Sequence, residues 1–188
     1  MARRRYTPML PTAAETLPVG PDWRYEVKFD GYRMLAYVDT NAVQLISRQG
    51  IRHTEDFSGI VQDILEAVVR VPCVLDGELV ALDSNGHPQL SLLRRREGII
   101  AYFAFDLLEL KGTSLVDRSL SERQKLLGKT LKKGERVFCS EEFKDGAALL
   151  EEVKRRRLEG VVAKRASSIY LPGRTRSWRK VKIRYAKK

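Results

Sequence analysis

The chain is poor in the residues that build metal clusters and disulfide frameworks: two cysteines and two histidines in 188 residues. Cys73 and Cys139 are too far apart to form a metal knuckle, which excludes zinc-ribbon and disulfide-scaffold classes, and both are read as reduced core residues. His53 and His87 stand without ligand-like company and are read as surface residues. No apolar run approaches the roughly 20 residues that a membrane-spanning helix requires. Arg3, Arg4 and Arg5 have no apolar stretch behind them, so the N-terminus does not read as a secretory signal. Internal repeats and low-complexity tracts are absent as well.

What the chain has in excess is positive charge. Its 35 Lys and Arg against 24 Asp and Glu leave a formal net charge of +11. The excess is clustered at Arg3–Arg5, Arg94–Arg96, Lys154–Arg157 and from Arg174 to Lys188, which points to a polyanionic partner, nucleic acid above all. Arg94–Arg96 and Lys154–Arg157 read equally well as solvated faces. Hydrophobic residues at 43% are enough for one globular domain with a sizeable core.

Residues 1–22, rich in proline and small residues, are expected to wrap over the surface without regular structure, and residues 23–188 to form the domain. Period-two alternation predicts strands over 23–29, 33–39, 43–47 and 73–82. Further strands are expected over 99–108, 137–139, 161–165 and 178–185. Helical spacing of Phe57, Ile60, Val61, Ile64, Leu65 and Val68 predicts a helix capped within Thr54–Asp56 and closed off by Pro72. Shorter helices are expected over 90–96 and from Ser119 or Ser121 through Leu127. A last helix over 145–157 turns Ala147, Leu150 and Val153 inward and ends at Gly160. The fold class is α+β, with mainly antiparallel sheets covered by helices.

In Arg24–Arg33, alternation places Glu26 and Lys28 on one strand face and Tyr25, Val27 and Phe29 in a core, just before an Asp30-Gly31 turn. Taken alone, that segment fits a hairpin with an exposed ion pair as well as it fits a site. Similar chemistry recurs at other strand ends: Arg48, Asp76 and Glu78, Glu159 and Lys164, then Lys180 and Lys182 with Val181 and Ile183 buried behind them. Lysines that neutralise phosphates beside a few carboxylates that hold a metal suit a nucleoside triphosphate with a divalent cation. Asp76 reads as structural, Tyr102 as a core aromatic, and Asp30 as a residue that shapes the turn.

Together these segments resemble the covalent nucleotidyltransferase superfamily of ATP-dependent DNA ligases, RNA ligases and capping enzymes. Its nucleophile motif is Lys28-Phe29-Asp30-Gly31 with Arg33 downstream. Ser47-Arg48-Gln49-Gly50, Asp76-Gly77-Glu78 and Tyr102–Leu107 follow in family order, then Glu159–Lys164 and Trp178–Lys182. Tyr25–Arg33, Ala104–Leu108 and Tyr170–Arg174 are most similar to the ligase domain of bacterial end-joining ligases.

The resemblance implies two sheets flanked by helices with a nucleotide cleft between them. It implies that Lys28 attacks the α-phosphorus of ATP, that AMP passes to a DNA 5′-phosphate, and that a 3′-hydroxyl then seals the nick. Lys180, Lys182 and partial desolvation are expected to make the amine nucleophilic. By the same likeness Glu26 contacts adenine, Arg33 and Glu78 lie near ribose and metal, Phe105 stacks on the base and Arg48 approaches sugar or phosphate. Glu159 helps Glu78 to bind Mg²⁺ (or Mn²⁺), and Lys164, Lys180 and Lys182 hold phosphates.

Family ligases continue into an OB-fold, for which the chain to Lys188 has no room, so slow self-adenylation and weak sealing are expected of it alone. Expected partners are nicked double-stranded DNA and a separate OB-fold, polymerase or end-binding protein. No membrane is expected, and the chain reads as a monomer in a prokaryotic cytoplasm, associated with the nucleoid. RNA ligation, capping-type guanylyl transfer and a nucleic-acid-binding remnant without catalysis are the alternatives.

Overall fold

A computed structural model describes residues 4–185, so Arg3, Lys187 and Lys188 of the basic clusters lie outside the described residues. In chain order the elements are β1 (Met9–Ala13), β2 (Trp23–Lys28), β3 (Tyr32–Val38), β4 (Val43–Ser47), α1 (Ser58–Ala67), β5 (Cys73–Leu82) and α2 (Leu90–Arg95). There follow β6 (Ile99–Leu110), β7 (Thr113–Ser114), α3 (Leu120–Thr130), β8 (Val137–Cys139), α4 (Gly146–Arg155), β9 (Gly160–Arg165) and β10 (Gly173–Lys182).

The strands form two sheets. The smaller has the order β1-β10-β9-β2, and the larger β4-β3-β5-β6-β7 with β8 against β6. Pairing is antiparallel except for β1 with β10 and β6 with β8. Alternation divides each strand between two apolar layers, as period two requires. Met9, Leu35, Val74, Leu108, Tyr170 and Trp178 fill the space between the sheets. On the outer face of the larger sheet, Ile60 and Ile64 of α1 pack on Met34, Leu45, Leu75 and Leu79. On that of the smaller sheet, Leu149 and Val153 of α4 pack on Trp23, Tyr25 and Val161. The α+β class and the two helix-flanked sheets are as expected.

Several local expectations are corrected. The N-terminal segment supplies β1, an edge strand whose Met9 is fully buried, because its backbone pairs in parallel with β10. Asp30-Gly31 closes no hairpin: β2 pairs with β9 while β3 pairs with β4 and β5, so the chain changes sheets between Lys28 and Tyr32. Glycine is required there, since a Cβ on Gly31 would lie 2.2 Å from the Leu79 carbonyl oxygen. The buried face of α4 is Gly146, Leu149 and Val153, one step round from the expected Ala147 and Leu150, because Asp145 caps the helix and fixes its start. Arg157, in the left-handed region at φ 55°, turns the chain out of α4, and Gly160 opens β9 instead.

Helix α1 has Phe57 at its N-cap position with no side-chain cap; Thr54 instead accepts a hydrogen bond from the Leu45 amide. Helix α3 starts at the expected Ser119, in a reciprocal capping box with Glu122, and runs on to Thr130. The final strand begins five residues early, at Gly173, and ends at Lys182. Cys73 is buried as expected, but Cys139 is exposed at the end of the three-residue strand β8.

Candidate active site

Register across the smaller sheet builds one wall of a cleft. Lys28, Gly160 and Lys182 stand in one row across β2, β9 and β10; Glu26, Val162 and Lys180 form the next, and Arg24, Lys164 and Trp178 the third. Directly opposed residues share a face, so these rows project together. The larger sheet supplies the facing wall, where Arg33 on β3 is in register with Glu78 on β5. The cavity between them is about 550 Å³, and Glu26, Lys28, Arg33, Arg48, Glu78, Phe105, Lys164 and Lys180 all line it. Glu159 and Lys182 lie beside it at Lys28.

The floor is an ionic pair in an apolar setting. Glu26 is 2% exposed and accepts hydrogen bonds on one oxygen from Lys164 Nζ at 2.7 Å and Gln124 Nε2 at 2.9 Å. Burial pushes the Glu26 carboxyl up and Lys164 opposes that. Lys164 Nζ lies over the rings of Phe105 at 4.3 Å and Trp178 at 4.6 Å, and the Arg33 guanidinium lies 4.4 Å over Phe105. Phe105, only 9% exposed, thus has two cations against its ring.

Lys28 meets a carboxylate among the cations expected around it. Its Nζ donates to Glu159 Oε2 at 2.5 Å, and Lys182 Nζ donates to the other oxygen at 2.6 Å. Glu159 therefore bridges two lysines, because Gly160 between their strands brings the preceding carboxylate to both. Lys180 is the cationic neighbour: burial pulls its amine down from the ordinary value, and Lys28 and Lys182 add to the effect. Lys182 is held up by its bond to Glu159.

Arg33 is anchored, not free. It donates to both Asp76 oxygens and to the Met9 carbonyl, and Tyr170 Oη donates to Asp76 at 2.5 Å. Burial works against the Arg33 charge, but Asp76 outweighs it and raises the pKa. Asp76 is structural, as expected, and Tyr102 is a core residue whose hydroxyl donates to the Met34 carbonyl. Glu78 has no hydrogen bond or ion pair among the described residues, and burial pushes its carboxyl up to about 7 against the pull of Arg33 and Lys28. Asp30 is likewise raised, by burial and then by Glu159.

A divalent cation needs open carboxylate oxygens. Among the described residues no group of three or more His, Cys, Asp or Glu is placed to hold a metal. Glu78 is nevertheless an unpaired carboxylate on the cleft wall, and Glu159 is close enough to raise its pKa. The donor set fits a cation that completes its shell with phosphate oxygens and water.

Four contributors were not legible in the sequence. Gln124 reaches Glu26 from α3, and Arg174 lines the cleft from the start of β10. His53 lines the cleft too, bonded to Asp56, and so is not the solitary surface residue expected. Asp106, next to Phe105, is held by the fully buried Arg123 at 2.7 and 2.8 Å. The capping box at Ser119–Glu122 foretells α3 but not what its side chains reach. The basic runs are exposed and partly neutralised: Arg95 pairs with Glu97, Arg96 with Asp56, and both Arg155 and Arg156 with Glu152.

Residues 8–182 match the family model described as ATP dependent DNA ligase domain. The multifunctional non-homologous end joining protein LigD of Mycolicibacterium smegmatis is 37% identical over 185 residues, covering 95% of this chain and 24% of that protein. A DNA ligase of Thermococcus fumicolans is 31% identical over 185 residues, covering 88% of this chain and 33% of that protein. Among solved structures, mycobacterial DNA ligase D complexed with ATP and MES superposes with a TM-score of 0.81 at 34% identity, over 94% of this chain and 60% of that one. The chain thus spans about a quarter of the length of the end-joining relatives it matches.

Proposed function

The chain belongs to the family of ATP-dependent DNA ligase domains, and from that premise we propose that it is the nucleotide-loading core of a DNA ligase acting in end joining. Lys28, after losing a proton, forms a nitrogen–phosphorus bond to the α-phosphorus of ATP as the bond to pyrophosphate breaks. The AMP then passes to a DNA 5′-phosphate, and an adjacent 3′-hydroxyl displaces it as the nick closes. Glu26 at the floor reads the adenine, Phe105 supports the base, and Arg33 and Arg48 flank the sugar and phosphate. Lys164, Lys180 and Lys182 neutralise the phosphates where charge develops. Glu78 and Glu159 would hold Mg²⁺ or Mn²⁺, which supplies charge neutralisation on phosphate oxygens when bound.

The observation that carries this reading is that motifs scattered from Glu26 to Lys180 meet on one cavity with Lys28 at its edge. Its partners on this reading are nicked double-stranded DNA and an OB-fold, a polymerase or an end-binding protein, as domains or as separate chains. It works as a monomer in a prokaryotic cytoplasm, at the nucleoid. Among the described residues no helix is long and apolar enough to cross a membrane.

Incubation with ATP and Mg²⁺, read by intact mass, tests the first step. One AMP per chain is expected, absent in Lys28→Ala and absent with GTP. Equal labelling of Lys28→Ala would refute the assignment, and preference for GTP would favour the capping-type reaction.

A further inference from the structure

His53 is held in the cleft by more restraints than a surface side chain requires. Its backbone amide donates to the Leu45 carbonyl at 2.8 Å, which pins the loop after β4 to that strand. Its ring Nδ1 is 2.8 Å from Asp56 Oδ2. The other Asp56 oxygen accepts from Arg96 Nη2 at 2.6 Å, across to the end of α2. Arg96 makes this contact from the left-handed region at φ 58°, a backbone conformation unfavourable for a long side chain. The Phe57 ring stands beside the imidazole, with centroids 6.5 Å apart.

This arrangement fixes the tautomer as well as the ring. A carboxylate on Nδ1 demands a proton there, so Nε2 is the variable atom. Nε2 has no partner among the described residues, and the side chain is 27% exposed where it lines the cleft. Arg48, which lines the same cleft, forms no ion pair among the described residues. An imidazolium donates from both nitrogens, one to Asp56 and one into the cleft that Arg48 also lines. A phosphate oxygen is the acceptor that such a pair of donors suits.

We propose that His53, oriented by Asp56 and Arg96, is a phosphate-contact residue of the cleft, its Nε2 donating to a phosphate oxygen. The inference rests on reading the cleft as the nucleotide-loading site. The phosphate comes from one of two sources, the triphosphate of ATP or the 5′-phosphate at a nick. Asp56, on the same loop, is the charged group bonded to His53, with Arg96 behind it at the end of α2, while Arg48 and Glu78 line the same cleft.

Two arms distinguish the sources, each run at one pH on the wild type, His53→Gln and Asp56→Asn. The first measures the ATP concentration for half-maximal AMP uptake. The second measures binding of the Lys28-adenylated chain to a nicked duplex with and without a 5′-phosphate. In one arm His53→Gln is expected to weaken the wild-type value by about tenfold, the loss of one charge-assisted phosphate contact. Asp56→Asn shifts the same arm in the same direction by a smaller factor, and the arm affected names the source. Wild-type values for His53→Gln in both arms would overturn the inference while leaving the loading reaction in place. Failure of the wild type to take up AMP at all would overturn both readings.

Discussion

Replacing Glu78 by glutamine removes a charge that the fold holds at a disadvantage. Its carboxyl is at about 7 in the folded chain against an ordinary 4.5, chiefly through burial, with Asp76 and Glu159 adding and Arg33 and Lys28 opposing. Between those two values the folded state keeps a proton that the unfolded state has released. Stability therefore falls as pH rises through that window, and the full penalty is present above pH 7. At about 1.4 kcal/mol per pH unit the penalty has a ceiling of about 3 kcal/mol.

Glu78→Gln keeps the shape and drops the charge. At pH 8 it is expected to be more stable than the wild type by up to about 3 kcal/mol, or about 6–12 °C in melting temperature for a chain of this size. The gap should narrow steadily towards pH 5. Urea unfolding at pH 5, 6, 7 and 8 on both proteins measures it. The same variant is expected to lose most cation-dependent AMP uptake at every pH, since it removes the open carboxylate of the cleft. Parallel stability profiles, or a variant less stable at pH 8, would refute the claim that an uncompensated carboxylate is stored there for function.

Arg123→Leu leaves Asp106 buried without its cation and should cost about 3–5 kcal/mol, seen as a lowered urea midpoint. Leucine at both positions should recover much of that loss, because two apolar groups leave no buried charge unpaired. Gly31→Ala forces a Cβ against the rigid Leu79 carbonyl and should lose about 1–3 kcal/mol, with AMP uptake falling further than stability because the Lys28 turn is displaced. Thermal melts and adenylation rates on the same preparation separate the two effects.

Much of the site was legible because its chemistry is local. Period two put Glu26 with Lys28, and Lys180 with Lys182, and the structure keeps both pairs on the cleft side of their strands. Elements with strong punctuation were equally legible: Ser119 caps α3, and β4 ends where the polar turn begins. Where the signal was a face and not an end, as in α4, a shift of one position at the helix start moved the buried stripe from Leu150 to Leu149.

By itself the sequence determined which residue types stand at which strand ends, and so the kind of chemistry the chain carries. The tertiary structure alone decided which sheet each strand joins and what each charge meets there. Alternation orients a side chain relative to its own strand but is silent about the strand alongside. Hence the crossing at Gly31, the parallel docking of β1, the bridge from Glu159 to Lys28 and Lys182, and the reach of Gln124 and Arg123 from α3 all depended on register between segments distant in the chain. Such contacts are fixed by the geometry and burial of two surfaces meeting, and neither surface carries the other's position in its own residues.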